Sequence, residues 1–397
     1  MDLNQTPKAN RLHIAIFGKT NSGKSSLLNA ITNQEIAIVS DQAGTTTDPV
    51  YKAMEIQPLG PCMLIDTAGF ADESAISALR LGRTKDILAK TDLAILVCTD
   101  DQLEQEASWL QQLQEKQIPV VAVLNKTDLL PNVKELQQTI QKTLGLEVIP
   151  VSALRREGID ELLAALKALA PKNFELESIV GHLVQPEDVV LLVMPQDIQA
   201  PKGRLILPQV QTIRDLLDHH CVVLCVTTNQ LPAALAALKQ PPKLIITDSQ
   251  VFPLVYQQKP AESLLTSFSV LFARYKGDIE AFVAGAQAID QLKPTDTVLI
   301  AEACTHNPLD GDIGRIKLPK LLRKTVGQEL QVEVVSGDQF PQDLSKYALV
   351  IHCGACMFNR KMVLSRVAAA KAQKVPITNY GVAIAKMTGI LDKINLY

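Results

Sequence analysis

Gly18-Lys19-Thr20-Asn21-Ser22-Gly23-Lys24-Ser25 is the stretch on which the fold turns. It has the form Gly-x4-Gly-Lys-Ser. The apolar run Leu12–Phe17 precedes it, and Lys24–Thr32 carries a helical pattern. Strand, glycine-rich turn and helix form the context that a phosphate loop requires. The glycines let backbone N–H groups point inward at phosphates, and the helix N-terminus favours an anion. Lys24 is expected to reach the β- and γ-phosphates and Ser25 to ligate Mg²⁺. Gly18, Asn21, Ser22, Gly23 and Ser26 complete the candidate phosphate contacts.

Three further elements follow in the order of a guanine-nucleotide site. Asp66-Thr-Ala-Gly69 ends an apolar run, so Asp66 is expected near Mg²⁺ and Gly69 near the γ-phosphate. Asn125-Lys126-Thr-Asp128 ends another. A carboxylate such as Asp128 can accept from both guanine N1–H and N2–H₂, which adenine cannot supply, so this motif selects GTP over ATP. Ser152-Ala153 after a later apolar run fits the loop that backs the base.

These motifs resemble the translation-factor-related GTPases, in particular the Era/MnmE-like branch. Gly44-Thr45-Thr46-Thr47-Asp48 is similar to that branch's switch I motif, Gly-Thr-Thr-Arg-Asp, with Thr47 in the arginine's place. The resemblance implies that Thr46 binds Mg²⁺ and that Asn21 coordinates an activating K⁺; a loop-stabilising asparagine is the plainer alternative. Phe70 stands where some GTPases carry a water-orienting glutamine. Phenylalanine cannot orient water, so slow intrinsic hydrolysis is expected, accelerated by K⁺, dimerisation or a partner.

The chain has 397 residues, 47% of them hydrophobic and 20% charged, and a formal net charge of −3. That length accommodates two or three domains, and the charge gives no general electrostatic reason to bind nucleic acid. No apolar run is long enough to span a bilayer, and the opening Met-Asp-Leu-Asn-Gln is unlike a signal peptide. A cytoplasmic location is expected, where seven cysteines serve as thiols or metal ligands rather than disulfides.

Apolar runs alternate with amphipathic stretches throughout, the signature of α/β folds with mostly parallel sheets. Strands are predicted at Leu12–Phe17, Cys62–Asp66, Leu93–Thr99, Pro119–Asn125 and Val148–Ser152. A second set falls at Val189–Met194, Cys221–Val226 and Leu244–Thr247, and a third at Thr297–Ala301, Val332–Val335 and Leu349–His352. Helices are predicted at Asp160–Leu169, Gln209–Leu217, Leu231–Leu238, Ile279–Gln291 and Met357–Ala372. Three domains are expected: a P-loop GTPase domain over 1–171 and two further α/β domains over 172–272 and 273–397.

The third set of strands carries a second chemistry. Cys304-Thr-His306 follows one apolar strand, and His352-Cys353-Gly354-Ala355-Cys356 ends another. If those strands are parallel, the thiols of Cys304, Cys353 and Cys356 meet in the crevice at their carboxyl ends. Gly354 is expected to permit a tight turn, and Cys356 to open the next helix, whose N-terminus would stabilise anionic sulfur. Thiolates suit a [4Fe–4S] cluster. Three of them leave one iron for His306, His352, a carboxylate or an exchangeable ligand. A Cys₃His zinc site, unligated buried cysteines and a redox pair are the other readings.

Cys-x-His, a long gap and His-Cys-Gly-x-Cys together resemble the C-terminal signature of the [FeFe]-hydrogenase maturation GTPase family. The resemblance covers essentially the whole chain. It implies an Era-like GTPase, a middle dimerisation domain and a C-terminal cluster domain. It further implies a carrier of a [4Fe–4S] cluster and of a diiron precursor with CO, CN⁻ and a dithiolate bridge. The implied partners are apo-[FeFe]-hydrogenase, two radical-SAM maturases and a second copy of the chain, with no membrane or nucleic acid. The chain lacks the radical-SAM Cys-x3-Cys-x2-Cys motif, which accords with a carrier rather than a maker of the precursor. Asn307-Pro308-Leu309 stands where many members continue with a second histidine and an arginine, so the fourth ligand stays open. The alternatives are a GTPase of tRNA modification or ribosome assembly, which would contact RNA, and a redox-sensing GTPase.

Other signals are read as structural. Cys221 and Cys225 sit in an apolar run beside His219 and His220 and are expected in a buried strand; Cys62 and Cys98 are read likewise. Gly311-Asp-Ile-Gly314 has an acidic, apolar centre unlike an RNA-binding Gly-x-x-Gly loop. Arg315 and Lys317 are expected on a solvated or partner-facing surface, and Trp109 in a core.

Overall fold

The structure, a computed structural model, describes residues 7–32, 50–67, 86–171, 178–195, 205–303, 313–337 and 339–396. It divides into two compact units, Met1–Leu176 and Glu177–Tyr397.

The first unit is built on a six-stranded sheet in the order β2-β3-β1-β4-β5-β6. Its strands are β1 (Leu12–Gly18), β2 (Val50–Ile56), β3 (Gly60–Asp66), β4 (Leu93–Cys98), β5 (Val120–Leu124) and β6 (Val148–Pro150). Only β2 runs antiparallel, beside β3. Every residue of β1 and β4 is buried. Continuous apolar runs of this kind belong to parallel strands covered on both faces. The helices Lys24–Thr32 and Ile159–Leu169 pack on one face, where Leu27, Leu28, Leu162 and Leu166 join the core. Glu104–Glu115 and Val133–Leu144 cover the other, with Leu110, Leu113 and Ile140. Trp109 packs against that second core, its ring 5.1 Å from Phe17.

The second unit holds two four-stranded sheets, each wholly parallel. One has the order β10-β9-β7-β8, with β7 (Val189–Val193), β8 (Val222–Val226), β9 (Leu244–Thr247) and β10 (Leu264–Ser267). The other has the order β12-β11-β13-β14, with β11 (Thr297–Glu302), β12 (Gln331–Ser336), β13 (Leu349–His352) and β14 (Ile377–Asn379). The sheets share one core: Leu191, Ile245 and Leu265 of the first belong to the same apolar cluster as Leu299, Val350 and Ile377 of the second. The helix Phe268–Lys276 runs without interruption through residue 272, where the sequence reading places its second boundary.

Side-chain caps start four helices of the second unit. Ser267 accepts from Val270 N, Asp278 from Ala281 N, Asn359 from Met362 N and Asn379 from Val382 N. The helix Ile279–Gln287 lies so close to β14 that a Cβ on Gly285 would stand 2.0 Å from the carbonyl oxygen of Ile377.

Two expectations fail here. The last predicted helix begins at Arg360, not Met357, because Asn359 caps it. β8 is an edge strand with Val222 and Cys225 exposed, although Cys221 just before it is buried. Among the described residues no helix is long and apolar enough to cross a membrane.

Candidate functional site

The phosphate loop leaves β1 at Gly18 and enters the helix at Lys24. Lys24 Nζ donates to the carbonyl oxygens of Gly18, at 2.9 Å, and Lys19, at 2.6 Å. The ammonium is thus bent over the loop's own backbone, where it would meet a bound phosphate. Ser25 Oγ donates to Asp66 Oδ2 at 2.8 Å, which joins the two expected Mg²⁺-site residues. Ser26 follows in the helix's first turn, and Asn21 is exposed with a left-handed φ of 61°. The buried Ser22 Oγ has no partner among the described residues, a polar group that a loop built for an anion would satisfy.

The far motifs close on this loop. Asn125 Nδ2 donates to Ser22 O at 2.9 Å, and its Oδ1 accepts from Ala153 N at 3.2 Å. This one buried amide therefore ties the phosphate loop to the base-backing loop. Gly23 has a φ of +86°, and a Cβ there would stand 2.4 Å from Asn125 Nδ2, so the close approach requires glycine. Lys126 adopts a left-handed conformation beside it. Ser152 Oγ donates to Asp128 Oδ1 at 2.6 Å, and this bond holds the Asp128 carboxyl below the usual range. Asp128 stays a carboxylate, as guanine recognition needs.

Lys19 steadies the loop's outer edge. Its Nζ donates to Asp100 Oδ1 at 2.8 Å and to Gln102 O. The buried Glu106 carboxylate lies 3.7 Å from the same ammonium, and burial raises its pKa. Thr46 and Gly69 lie outside the described residues, as does Phe70.

The second site stands where β11 and β13 end side by side, with Ala301 opposite His352. Cys353 N donates to Ala301 O at 3.0 Å. Cys353 Sγ accepts from Ala303 N at 3.0 Å and from Ala355 N at 3.4 Å. Ala303 directly precedes Cys304, so the chain that carries the third thiol leaves from beside the first; Cys304 and His306 lie outside the described residues. Desolvation pushes the Cys353 thiol up to about 11. Ionising it calls for a positive partner such as a metal.

The loop differs from its expected form. The left-handed residue is Ala355, with φ 52°, rather than Gly354. Cys356 lies in a turn ahead of the helix, so the helix N-terminus does not begin at its sulfur. The nearby positive charge is instead Lys276, whose Nζ donates to Ala355 O at 3.1 Å, Cys356 O at 3.4 Å and Phe358 O at 2.9 Å. Burial pushes this ammonium down to about 8, against the pull of the Cys356 and Cys353 thiols. Arg360 answers from the other side, donating to Arg274 O at 3.3 Å and to Tyr275 O.

His352 is committed at both ring nitrogens. Nδ1 lies 2.9 Å from Cys353 O, and Nε2 lies 3.1 Å from Arg366 Nη1. Since a guanidinium only donates, Nε2 is the acceptor and Nδ1 carries the proton. The Arg366 guanidinium sits 4.8 Å from the Phe340 ring and 4.6 Å from the Phe358 ring. His352 therefore serves as a buried prop of the loop, and ligation by it would require displacing Arg366. Among the described residues no group of three or more His, Cys, Asp or Glu side chains is arranged to hold a metal ion. Sequence reasoning missed Lys276, Arg360 and Arg366, which stand in no motif. Arg315, expected on a solvated or partner-facing surface, is exposed and pairs with Glu302 at 3.2 Å.

The comparisons with known proteins divide along the chain. Residues 13–126 match the family described as 50S ribosome-binding GTPase. Residues 179–277 match the Hydrogen maturase F dimerization domain, and 280–395 the Hydrogen maturase F tetramerization domain. The tRNA modification GTPase MnmE of Lactobacillus delbrueckii subsp. bulgaricus is 39% identical over 168 residues, which cover 42% of this chain and 36% of that protein. MnmE of Bacillus subtilis is 34% identical over 160 residues, covering 40% and 34%. The chain thus spans about a third of the length of these relatives. Among solved structures, Aquifex aeolicus Era with GDP and AlF₄⁻ covers 64% of this chain and 99% of its own, at 20% identity and a TM-score of 0.37. An S. thermophilus NFeoB bound to GMPPNP covers 40% and 62%, at 28% identity and a TM-score of 0.34.

Proposed function

We propose, given that this chain belongs to the hydrogen maturase F family, that it is a GTP-hydrolysing scaffold which carries a diiron unit with CO and CN⁻ ligands to apo-[FeFe]-hydrogenase. A [4Fe–4S] cluster held by Cys304, Cys353 and Cys356 would supply the docking point for that cargo. The observation that carries this reading is the second loop: two thiols three positions apart, backbone N–H groups aimed at one sulfur, and a buried ammonium beneath. Such a donor set fits an anionic thiolate-bound metal centre. Cys353 and Cys356 would hold two irons and Cys304 a third. His352 is occupied, which leaves the fourth position to His306 or to an exchangeable ligand.

In the first unit, Lys24 would neutralise the β- and γ-phosphates, and Ser25, Thr46 and Asp66 would organise Mg²⁺. Gly69 would sense the γ-phosphate, Asp128 would select guanine, and Asn21 would bind K⁺. With Phe70 in place of a water-orienting amide, turnover would be slow, as suits a switch governing affinity for the hydrogenase or for the two radical-SAM maturases. The functional parts would be 1–171 for GTP, 172–272 for dimerisation and 273–397 for the cluster, in the cytoplasm. Exposure of Val222 at the β8 edge, 57%, supports a second copy of the chain as the partner there.

The deciding experiment is anaerobic reconstitution with iron and sulfide, followed by electron paramagnetic resonance of the reduced protein. A [4Fe–4S]⁺ signal lost in Cys304→Ser, Cys353→Ser and Cys356→Ser but kept in Cys221→Ser is expected. Activation of apo-hydrogenase by the loaded protein completes the test. A cluster-free protein that binds tRNA or ribosomes would replace this reading with the RNA-directed one.

A further inference from the structure

Lys276 has a role beyond that of a neighbour to the loop. Its side chain is 2% exposed at the end of the helix Phe268–Lys276, and its three ammonium protons meet the three carbonyls of Ala355, Cys356 and Phe358. Among the described residues no carboxylate lies within ion-pair distance of it. A buried cation without a counter-charge costs several kcal/mol, whereas a methionine would fill the same space without that cost. The groups able to become anionic that act on this ammonium are the thiols of Cys356 and Cys353. The peptide between them holds Ala355 in a left-handed conformation that a residue with a side chain rarely adopts. Lys276 grips the carbonyl of that very residue.

We propose that Lys276 is a positioning residue of the cluster site: its ammonium fixes the Cys353–Cys356 loop from below, and its charge favours a thiolate-bound metal centre and that centre's reduced form. Arg360 makes the grip reciprocal, since it holds the end of the helix from which Lys276 projects. The inference rests on the reading that these cysteines bind the cluster.

The test uses the full chain carrying Lys276→Met or Lys276→Gln, the latter keeping N–H donors without charge. Co(II) is titrated anaerobically into the apo-protein, and the thiolate-to-cobalt charge-transfer absorption is read. Binding about tenfold or more weaker is expected for Lys276→Met, as for loss of other outer-shell partners. In reconstituted protein, reduction with dithionite followed by paramagnetic resonance gives the midpoint potential. Both variants are expected to titrate lower, by about 59 mV for each tenfold loss in preference for the reduced, more anionic cluster. Wild-type affinity and potential in folded variants would overturn the proposal. If the wild-type chain binds Co(II) no better than Cys353→Ser, the cluster reading itself fails. Should both variants unfold, wild-type protein with ¹⁵N-lysine decides. One slowly exchanging ammonium signal that shifts on addition of Zn(II) is expected, and its absence would refute the role.

Discussion

His352 Nε2 accepts from Arg366 Nη1 at 3.1 Å, so a histidine next to a candidate cluster ligand is locked neutral by a guanidinium. Burial and then Arg366 depress its pKa to about 3. Protonation in the folded state would set two cations against each other in a site that is 1% exposed.

That arrangement has a pH signature. The folded pKa lies below the unfolded value of about 6.5, so the unfolded chain binds the extra proton first. The stability contributed by neutral His352 is complete above pH 6.5 and is lost as pH falls toward 3. Metal-free protein should lose about 2 kcal/mol from this group between pH 7 and pH 5. Urea unfolding at both values measures it, and His352→Asn should flatten the difference.

Base selection is open to a single exchange. Asp128, aligned by Ser152 Oγ, accepts from guanine; an amide there would offer one acceptor and one donor. Asp128→Asn should weaken GTP binding by about tenfold or more and favour xanthosine triphosphate, whose C2 oxygen accepts the new donor. Competition between fluorescent GDP and XDP reads the switch directly.

Lys24→Ala should lower the rate of GTP hydrolysis by about 100-fold or more. The helix it opens should persist, because Leu27 and Leu28 anchor that helix in the core. Phosphate release alongside far-ultraviolet circular dichroism separates lost chemistry from lost fold. If hydrogenase activation is equally unaffected by Lys24→Ala and by GTP removal, the nucleotide does not govern delivery.

Gly285→Ala probes the contact between the helix Ile279–Gln287 and β14. The added methyl would meet backbone atoms of Ile377 that cannot rotate away. A loss of about 1–3 kcal/mol is expected from overpacking, seen as a lower urea midpoint. An unchanged midpoint would show that the helix can shift off the sheet.

The phosphate loop and its flanking strand were legible because each property sits within a few consecutive residues: a fully apolar strand, glycines at fixed offsets and a lysine at the helix start. β2 escaped because Val50–Ile56 mixes polar and apolar residues, as an exposed antiparallel strand does. β14 is three residues long, too short to show a period. Cys225 reads as buried by composition, yet it sits on an edge strand, and an edge is a property of topology. The same holds for the cysteine loop. Its ligand candidates are written in the local spacing, but Lys276 reaches Ala355 across 79 residues and Arg366 reaches His352 from within a helix of no distinctive pattern. Gly354 drew the turn assignment by its identity. Ala355 takes the left-handed conformation in the structure, with Lys276 and Arg360 bracing the loop around it.

One more feature bears on how the protein comes into being. Asn395 N donates to Leu265 O at 2.7 Å, and Asn395 Oδ1 accepts from Leu265 N at 3.1 Å. The edge of β10 is thus sealed by a segment synthesised 130 residues later. On the ribosome, residues 1–176 can fold while the rest is still being made. In residues 177–397 the β10 edge stays unsealed until nearly all of that stretch has emerged. Contacts of such long range fold slowly. Closure of that sheet edge is therefore a late event in the life of each molecule, and a ribosome stalled before residue 395 would leave behind a first unit joined to a second with an open strand edge.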